Sequence, residues 1–226
     1  MPPMTLYVEL FSKRRVRTGG FTRLDLVAGV VSLLLLLAVC LPVAATRSGQ
    51  RAGRIVCVNN LRQIGAAWRM SATSLNDTFP FQFPFVFPGQ VRPEDAAAYQ
   101  WYQMISNELV TARTLVCPSD SRTLARDFGS LMGENLSYFI GADVGFDLSR
   151  TILGGDRNVT GGPTASRYMD LLPQQASSIG WNLLIHNRNG NLLQSDGSVQ
   201  QYANSGLQQA VRTSGDQRNR VILTDF

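Results

Sequence analysis

Apolar residues are distributed unevenly along the chain. Leu26 to Ala45 is a run of 20 residues without a charge, and at about 1.5 Å of rise per helical residue it covers about 30 Å of hydrocarbon. Residues 46–54 are polar and include two glycines, so the helix is expected to loosen there. From Ile55 onward Ile55, Val58, Leu61, Ile64 and Trp68 recur at steps of three or four, the stripe of an amphipathic helix ending near 71–76. Phe79 to Gly89 alternates phenylalanine with other residues, and its three prolines forbid a helix or a central strand. An extended segment is predicted, either a strap whose rings pack on the helix or a hydrophobic contact for a partner.

Farther along, Pro93-Glu94-Asp95 opens a predicted helix through Leu109. Thr114 to Cys117 and Leu136 to Gly141 read as short strands, while 154–158 and 161–163 read as turns. The strongest β signal is carboxyl-terminal. Trp181–His186, Asn191–Ser195 and Ser198–Tyr202 are three strands joined by Asn189-Gly190 and Asp196-Gly197, an antiparallel meander. Ser205 caps a last helix through Val211, and Val221–Leu223 closes the sheet as an edge strand. The fold class is α+β: a long amino-terminal helix, half membrane and half amphipathic, packed on a small antiparallel sheet domain.

Composition narrows the function classes. The chain has 226 residues, 44% hydrophobic and 16% charged, with a net charge of +5. Residues 1–20 hold +3 of that charge through Lys13, Arg14, Arg15 and Arg17 against Glu9. The remaining +2, without another basic block, lacks the footprint of a nucleic-acid binder. The basic cluster and apolar run instead form an address, which three readings fit. A signal peptide would end at Val43-Ala44-Ala45 and release a secreted or anchored binding module. An uncleaved anchor would keep the basic side cytoplasmic, with Arg14-Arg15 as a twin-arginine variant of the export signal.

The third reading rests on Gly20-Phe21-Thr22, the acid Asp25 and the apolar helix that follows. Together these resemble the amino terminus of prepilins and pseudopilins. The resemblance implies cleavage between Gly20 and Phe21 by a prepilin peptidase, methylation of Phe21, and retention of the apolar helix. It also implies that Asp25, standing where the family has glutamate, neutralises the Phe21 ammonium of a neighbouring subunit during assembly. Asp25 is one methylene shorter than glutamate, and Arg23 stands where an apolar residue is usual. Asp25 is also placed to cap its own helix. The expected organisation is a leader over 1–20, a membrane helix over 21–45, its amphipathic continuation over 46–76 and an exported globular domain over 77–226.

Further motifs resemble a pseudopilin-like subgroup of planctomycete and verrucomicrobial bacteria: Cys57-Val-Asn-Asn-Leu-Arg-Gln-Ile-Gly65, Val116-Cys-Pro-Ser-Asp120, Leu136-Ser-Tyr-Phe-Ile-Gly141, Gly155-Asp-Arg-Asn158, and His186 nine residues before Asp196-Gly197. The resemblance implies a structural role for His186, Asp196 and Gly197. Expected partners are the prepilin peptidase, other pseudopilins, an inner-membrane assembly platform and membrane lipid. The protein is expected in the inner membrane, single-pass, with a cytoplasmic amino terminus.

Candidate chemistry is sparse. Cys40 falls inside the span, whereas Cys57 and Cys117 lie in the exported part and form either a bridge or two buried thiols. No Gly-x-Ser-x-Gly elbow accompanies His186 and Asp196, and one histidine with scattered cysteines does not spell a zinc site. No enzymatic activity is expected, and His186 reads as a tie across strands. Resemblance to the major pseudopilin of type II secretion makes calcium a possible cofactor near Asp143, Asp147 and Asp156, although their spacing is no coordination motif.

Overall fold

The structure, a computed structural model, describes residues 20, 22–83, 95–147 and 149–224, with backbone alone over 39–51. Phe21 and the rest of the predicted strap, 84–89, lie outside the described residues. Two compact units divide the chain, Met1–Arg47 and Ser48–Phe226.

Helix α1 runs Arg23–Thr73, 51 residues. At its start Asp25 Oδ2 accepts the Thr22 N–H at 3.0 Å and the Thr22 hydroxyl at 2.8 Å. The Asp25 N–H donates back to Thr22 Oγ1 at 3.2 Å, a reciprocal cap that satisfies the opening turn. Leu24, Leu26, Val27, Val30, Val31 and Leu33 to Leu37 are exposed. Among the described residues no helix is long and apolar enough to cross a membrane. The expected loosening over 46–54 is not seen, and α1 is helical through Pro42 and through that segment. Two glycines cost a helix about 1 kcal/mol each, too little to break one whose later turns are buried.

In the second unit Leu61, Ile64 and Trp68 are buried, as the stripe predicts, together with Ala67 and Ala72, while Val58 is half-buried. Its start is corrected: Ile55 is exposed, and the buried face begins at Cys57. Trp68 anchors an aromatic cluster. Phe81 meets it edge-on at 5.4 Å between centroids, Tyr102 lies at 5.9 Å, and Phe79 stacks on Phe81 at 5.4 Å. The described part of the phenylalanine segment is therefore a strap over the helix. Its backbone is not fully extended, because Pro80–Gln82 forms a 3-10 turn closed by Gln82 Oε1 on the Phe79 N–H.

The helix expected from Pro93 through Leu109 begins later and is interrupted. It consists of α2, Ala98–Met104, and α3, Ser106–Leu109. Gln100 caps the entry through the Ala97 N–H, and Ile105 leaves helical geometry while staying buried. The strand expected over Thr114–Cys117 is also corrected. Ala112–Leu115 is a 3-10 turn, opened by Thr111 Oγ1 accepting the Arg113 N–H. Its carbonyls find partners without a ladder: Leu115 O accepts the Ser137 N–H, and Val116 O accepts Asn60 Nδ2.

Among the described residues nine strands follow: β1 Tyr138–Gly141, β2 Ile152–Asp156, β3 Val159–Thr160, β4 Thr164–Ala165, β5 Tyr168–Asp170, β6 Gly180–Trp181, β7 Asn189–Gln194, β8 Val199–Ala203 and β9 Arg220–Ile222. Seven form an antiparallel sheet in the order β4-β5-β9-β1-β2-β7-β8, and β3 pairs with β6. Side chains alternate between two cores. Tyr138, Ile140, Leu153, Leu193 and Ile222 join the core that α1 and α2 build. Phe139, Ile152, Leu192 and Val221 join a second, covered by Leu207, Ala210 and Val211 of α4, Asn204–Thr213.

That two-sided burial explains several corrections. β9 is internal rather than an edge, since adjacent Val221 and Ile222 each need a covered face. Residues 154–156 belong to β2, not to a turn: a Cβ on Gly155 would lie 2.7 Å from the Phe139 ring and 2.8 Å from Asn191 O. Asn189-Gly190 is likewise strand, with Gly190 against the Trp181 ring, where a Cβ would come within 2.5 Å. The chain reverses earlier, at His186, Asn187 and Arg188, whose φ values are 56°, 52° and 59°. Of the expected Trp181–His186 strand only Trp181 is strand, paired to β3. Helix α4 begins at Asn204 without a side-chain cap, so Ser205 is not its cap. The expected β1, the turn over 161–163 and the β7–β8 hairpin at Asp196-Gly197 are present.

Cys57 and Cys117 are joined in a disulfide with Cα atoms 5.1 Å apart. It closes 60 residues of sequence separation, worth about 4 kcal/mol in the chain-entropy model. A Cys57→Ala/Cys117→Ala variant should lose about 4 kcal/mol in urea unfolding. An unchanged midpoint would show that the bridge only decorates an already rigid contact.

Candidate functional site

The carboxyl end of β2 and the turn before β7 converge on the disulfide. Both sulfurs and the His186 side chain are buried. His186 Nε2 lies 3.5 Å from Cys117 Sγ and 3.5 Å from Asp156 Oδ2. Asp156 stands at the end of β2, where its Oδ2 accepts the Asn191 N–H at 2.8 Å and Asn191 Nδ2 at 3.0 Å. The left-handed backbone at His186 turns its carbonyl toward Arg54, which donates at 3.3 Å, and toward Asn189 Nδ2.

Asn158 fixes this turn. Its Nδ2 donates to the carbonyls of Asn182, Ile185 and Asn189 at 3.2, 2.9 and 3.1 Å. Between Asp156 and Asn158, Arg157 forms a two-pronged pair with Asp120 at 2.7 and 2.8 Å. Its N–H donates to Ser137 O. Asp120 follows Cys117 by three residues, so this pair ties the bridge loop to the end of β2. Partial burial pushes the Asp120 carboxyl up, but the Arg157 hydrogen bonds and charge outweigh it and hold the group low.

Burial dominates the other two ionisable groups. Desolvation pushes Asp156 up to about 8, against the pull of its Asn191 hydrogen bonds. Desolvation brings His186 down to about 4, and the Arg54 charge adds to the effect. At neutral pH the pair thus carries one proton and no net charge. The sulfur beside it is tied in the bridge and is not a nucleophile, so the arrangement acts as a tie between β2, the 182–188 turn and the disulfide.

His186 and Asp196 do not meet. They flank opposite ends of β7, and the nine-residue spacing is the length of that strand with its two turns. Asp196 Oδ1 accepts the Ser198 N–H at 2.8 Å, Gly197 has φ 85°, and Ser195 O accepts the Arg69 guanidinium at 2.6 Å. The acid beside His186 is Asp156. The expected tie runs from a turn rather than across strands. Gly20 is exposed and Asp25 caps α1, while Phe21 lies outside the described residues. The three aspartates weighed for calcium are dispersed in role: Asp143 pairs with Arg220 at 2.8 Å, Asp147 is exposed, and Asp156 is buried on Asn191.

The motifs that hold Asp120, Arg157 and Asn158 are visible in the sequence, but the roles of these three residues are not. The lone acid of 116–120 and the lone base of 155–158 were the available signal. Asn191 was hidden by the tight-turn reading of Asn189-Gly190. No family model, curated protein or solved structure matches the chain.

The two buried groups oppose each other in their pH dependence. Between about 4 and 8 the folded chain keeps the Asp156 proton that the unfolded chain releases, so this contribution to stability falls as pH rises. Between about 4 and 6.5 the folded chain lacks the His186 proton that the unfolded chain holds, so that contribution rises. The two trends offset below about pH 6.5, and only the fall remains up to about pH 8. Thermal melts should show declining stability over that upper range, abolished in Asp156→Asn, which imitates the protonated acid. A wild type that gains stability there would contradict the assignment.

Proposed function

We propose that the chain is a pseudopilin-like structural subunit of a filament of the type II secretion or type IV pilus kind. The observation that carries this reading is the division of α1. Its first part presents leucine and valine outward from Leu24 to Leu37, and its later part, from Cys57, supplies the buried face of an α+β unit. An apolar helix without covering partners calls for lipid or for other helices of its kind. Both occur in the proposed cycle, first in the inner membrane and then in the filament. The side chains of 39–51 lie outside the described residues, and in the sequence the uncharged run from Leu26 to Ala45 has the length of a span, so membrane anchorage is part of the proposal.

Processing by a prepilin peptidase would free the Phe21 ammonium, and Asp25 of a neighbouring subunit would neutralise it. An unpaired charge in such surroundings is disfavoured by several kcal/mol, which makes the pair a register device. In the single chain the same carboxylate caps α1 through Thr22. Assembly would therefore draw on a group already fixed at the helix start. The head needs no chemistry for this task, and its buried tie keeps the 182–188 turn in place.

The amino-terminal residue and intact mass of the membrane-extracted protein test this reading. A start at Phe21, with or without one methyl, is expected. A start at Thr46 would replace it with a binding module released by signal peptidase. Retention of Met1 would also overturn it.

A further inference from the structure

The sequence spacing of the cysteines and histidine spells no zinc motif, yet folding brings them together. The ligand atoms of Cys57, Cys117 and His186 all lie within 4.8 Å of one another, and all three residues are buried. In a tetrahedral zinc site, with Zn–S about 2.3 Å and Zn–N about 2.0 Å, sulfur and nitrogen ligands stand about 3.5 Å apart. His186 Nε2 is 3.5 Å from Cys117 Sγ.

Two further observations point to a ligand. Among the described residues, buried Asp156 Oδ1 has no hydrogen-bond partner, and neither does His186 Nδ1. Buried polar atoms are rarely left so. A hollow of about 660 Å³, walled by Gly53, Arg54, Pro118, Ser119 and His186, adjoins the group and offers an entry path.

We propose that the dithiol form of Cys57 and Cys117 binds one zinc ion together with His186 Nε2, with water from the adjoining hollow at the fourth position. The bridge and the metal are alternatives. A dithiol reductant gives two electrons and two protons to the disulfide, becomes a disulfide itself and leaves two thiols. Zinc binding then expels the two thiol protons, and the two thiolates neutralise the ion. The sulfurs separate to about 3.7 Å in a tetrahedral shell, a shift that side-chain rotation supplies. Either link holds α1 to the Cys117 loop, and the metal adds the His186 turn to the same joint. This inference is independent of the filament reading.

The test uses the full chain in detergent micelles, reduced with a phosphine and titrated with Co²⁺ and then Zn²⁺. The reduced protein should take up one Co²⁺ with the strong visible absorption of tetrahedral thiolate coordination, which Zn²⁺ bleaches. The oxidised protein should show none. His186→Ala should weaken Co²⁺ binding roughly tenfold or more. A reduced wild type that leaves Co²⁺ in its weakly coloured aquo form overturns the proposal, as does binding unchanged by His186→Ala. Should that variant fail to fold, zinc-edge X-ray absorption of the reduced wild type decides. Two sulfurs at about 2.3 Å with imidazole nitrogen at about 2.0 Å are expected, and a shell without imidazole overturns the assignment.

Discussion

Cys57 and Cys117 join the one long helix to the loop that precedes the sheet, and much of the second unit is organised around that joint. The bridge sets where the buried face of α1 begins, one turn ahead of Leu61. From there Leu61, Ile64 and Trp68 follow at helical spacing, and the aromatic cluster closes over Trp68. Beside Cys117 lies His186, which in turn meets Asp156, so the covalent link is also the floor of a buried polar tie. Apolar burial supplies most of the driving force, while the bridge and the tie fix one register out of many compact alternatives.

The short motifs scattered over more than a hundred residues have a common location in the fold. Cys57, the Cys117 to Asp120 loop, the end of β2 and the His186 turn all meet there. Each supplies what another lacks: Asp120 receives Arg157, Asp156 receives Asn191, and three turn carbonyls receive Asn158. Asp196-Gly197 stands apart, at the far end of β7, where it makes a hairpin turn whose neighbour Ser195 is held by Arg69 of α1. The sheet is therefore fastened to the helix at both ends of one strand.

Residues whose signal was apolar spacing were legible. Leu61, Ile64 and Trp68 follow from period, and the β1 segment from its aromatic and β-branched content. Glycine and asparagine misled, because their turn preference is local while their use here is set by tertiary contact. Gly155 and Gly190 sit in strands where a neighbouring ring or carbonyl leaves no room for a side chain. Val221-Ile222 looked like an edge because a strand buried on both faces shows no alternation. The partnership of Asp156 with His186 was illegible, since thirty residues and a small second sheet separate them in the chain. Only strand pairing of β2 with β7 brings them side by side.

If the bridge and the polar tie make one joint, α1 beyond Cys57, β2 and β7 open together. Native-state hydrogen exchange under increasing denaturant tests this directly. Amides over 58–72, 152–156 and 189–194 should merge onto a single opening isotherm. Exchange of the helix amides through a separate and easier opening, with the strands still protected, would contradict the account.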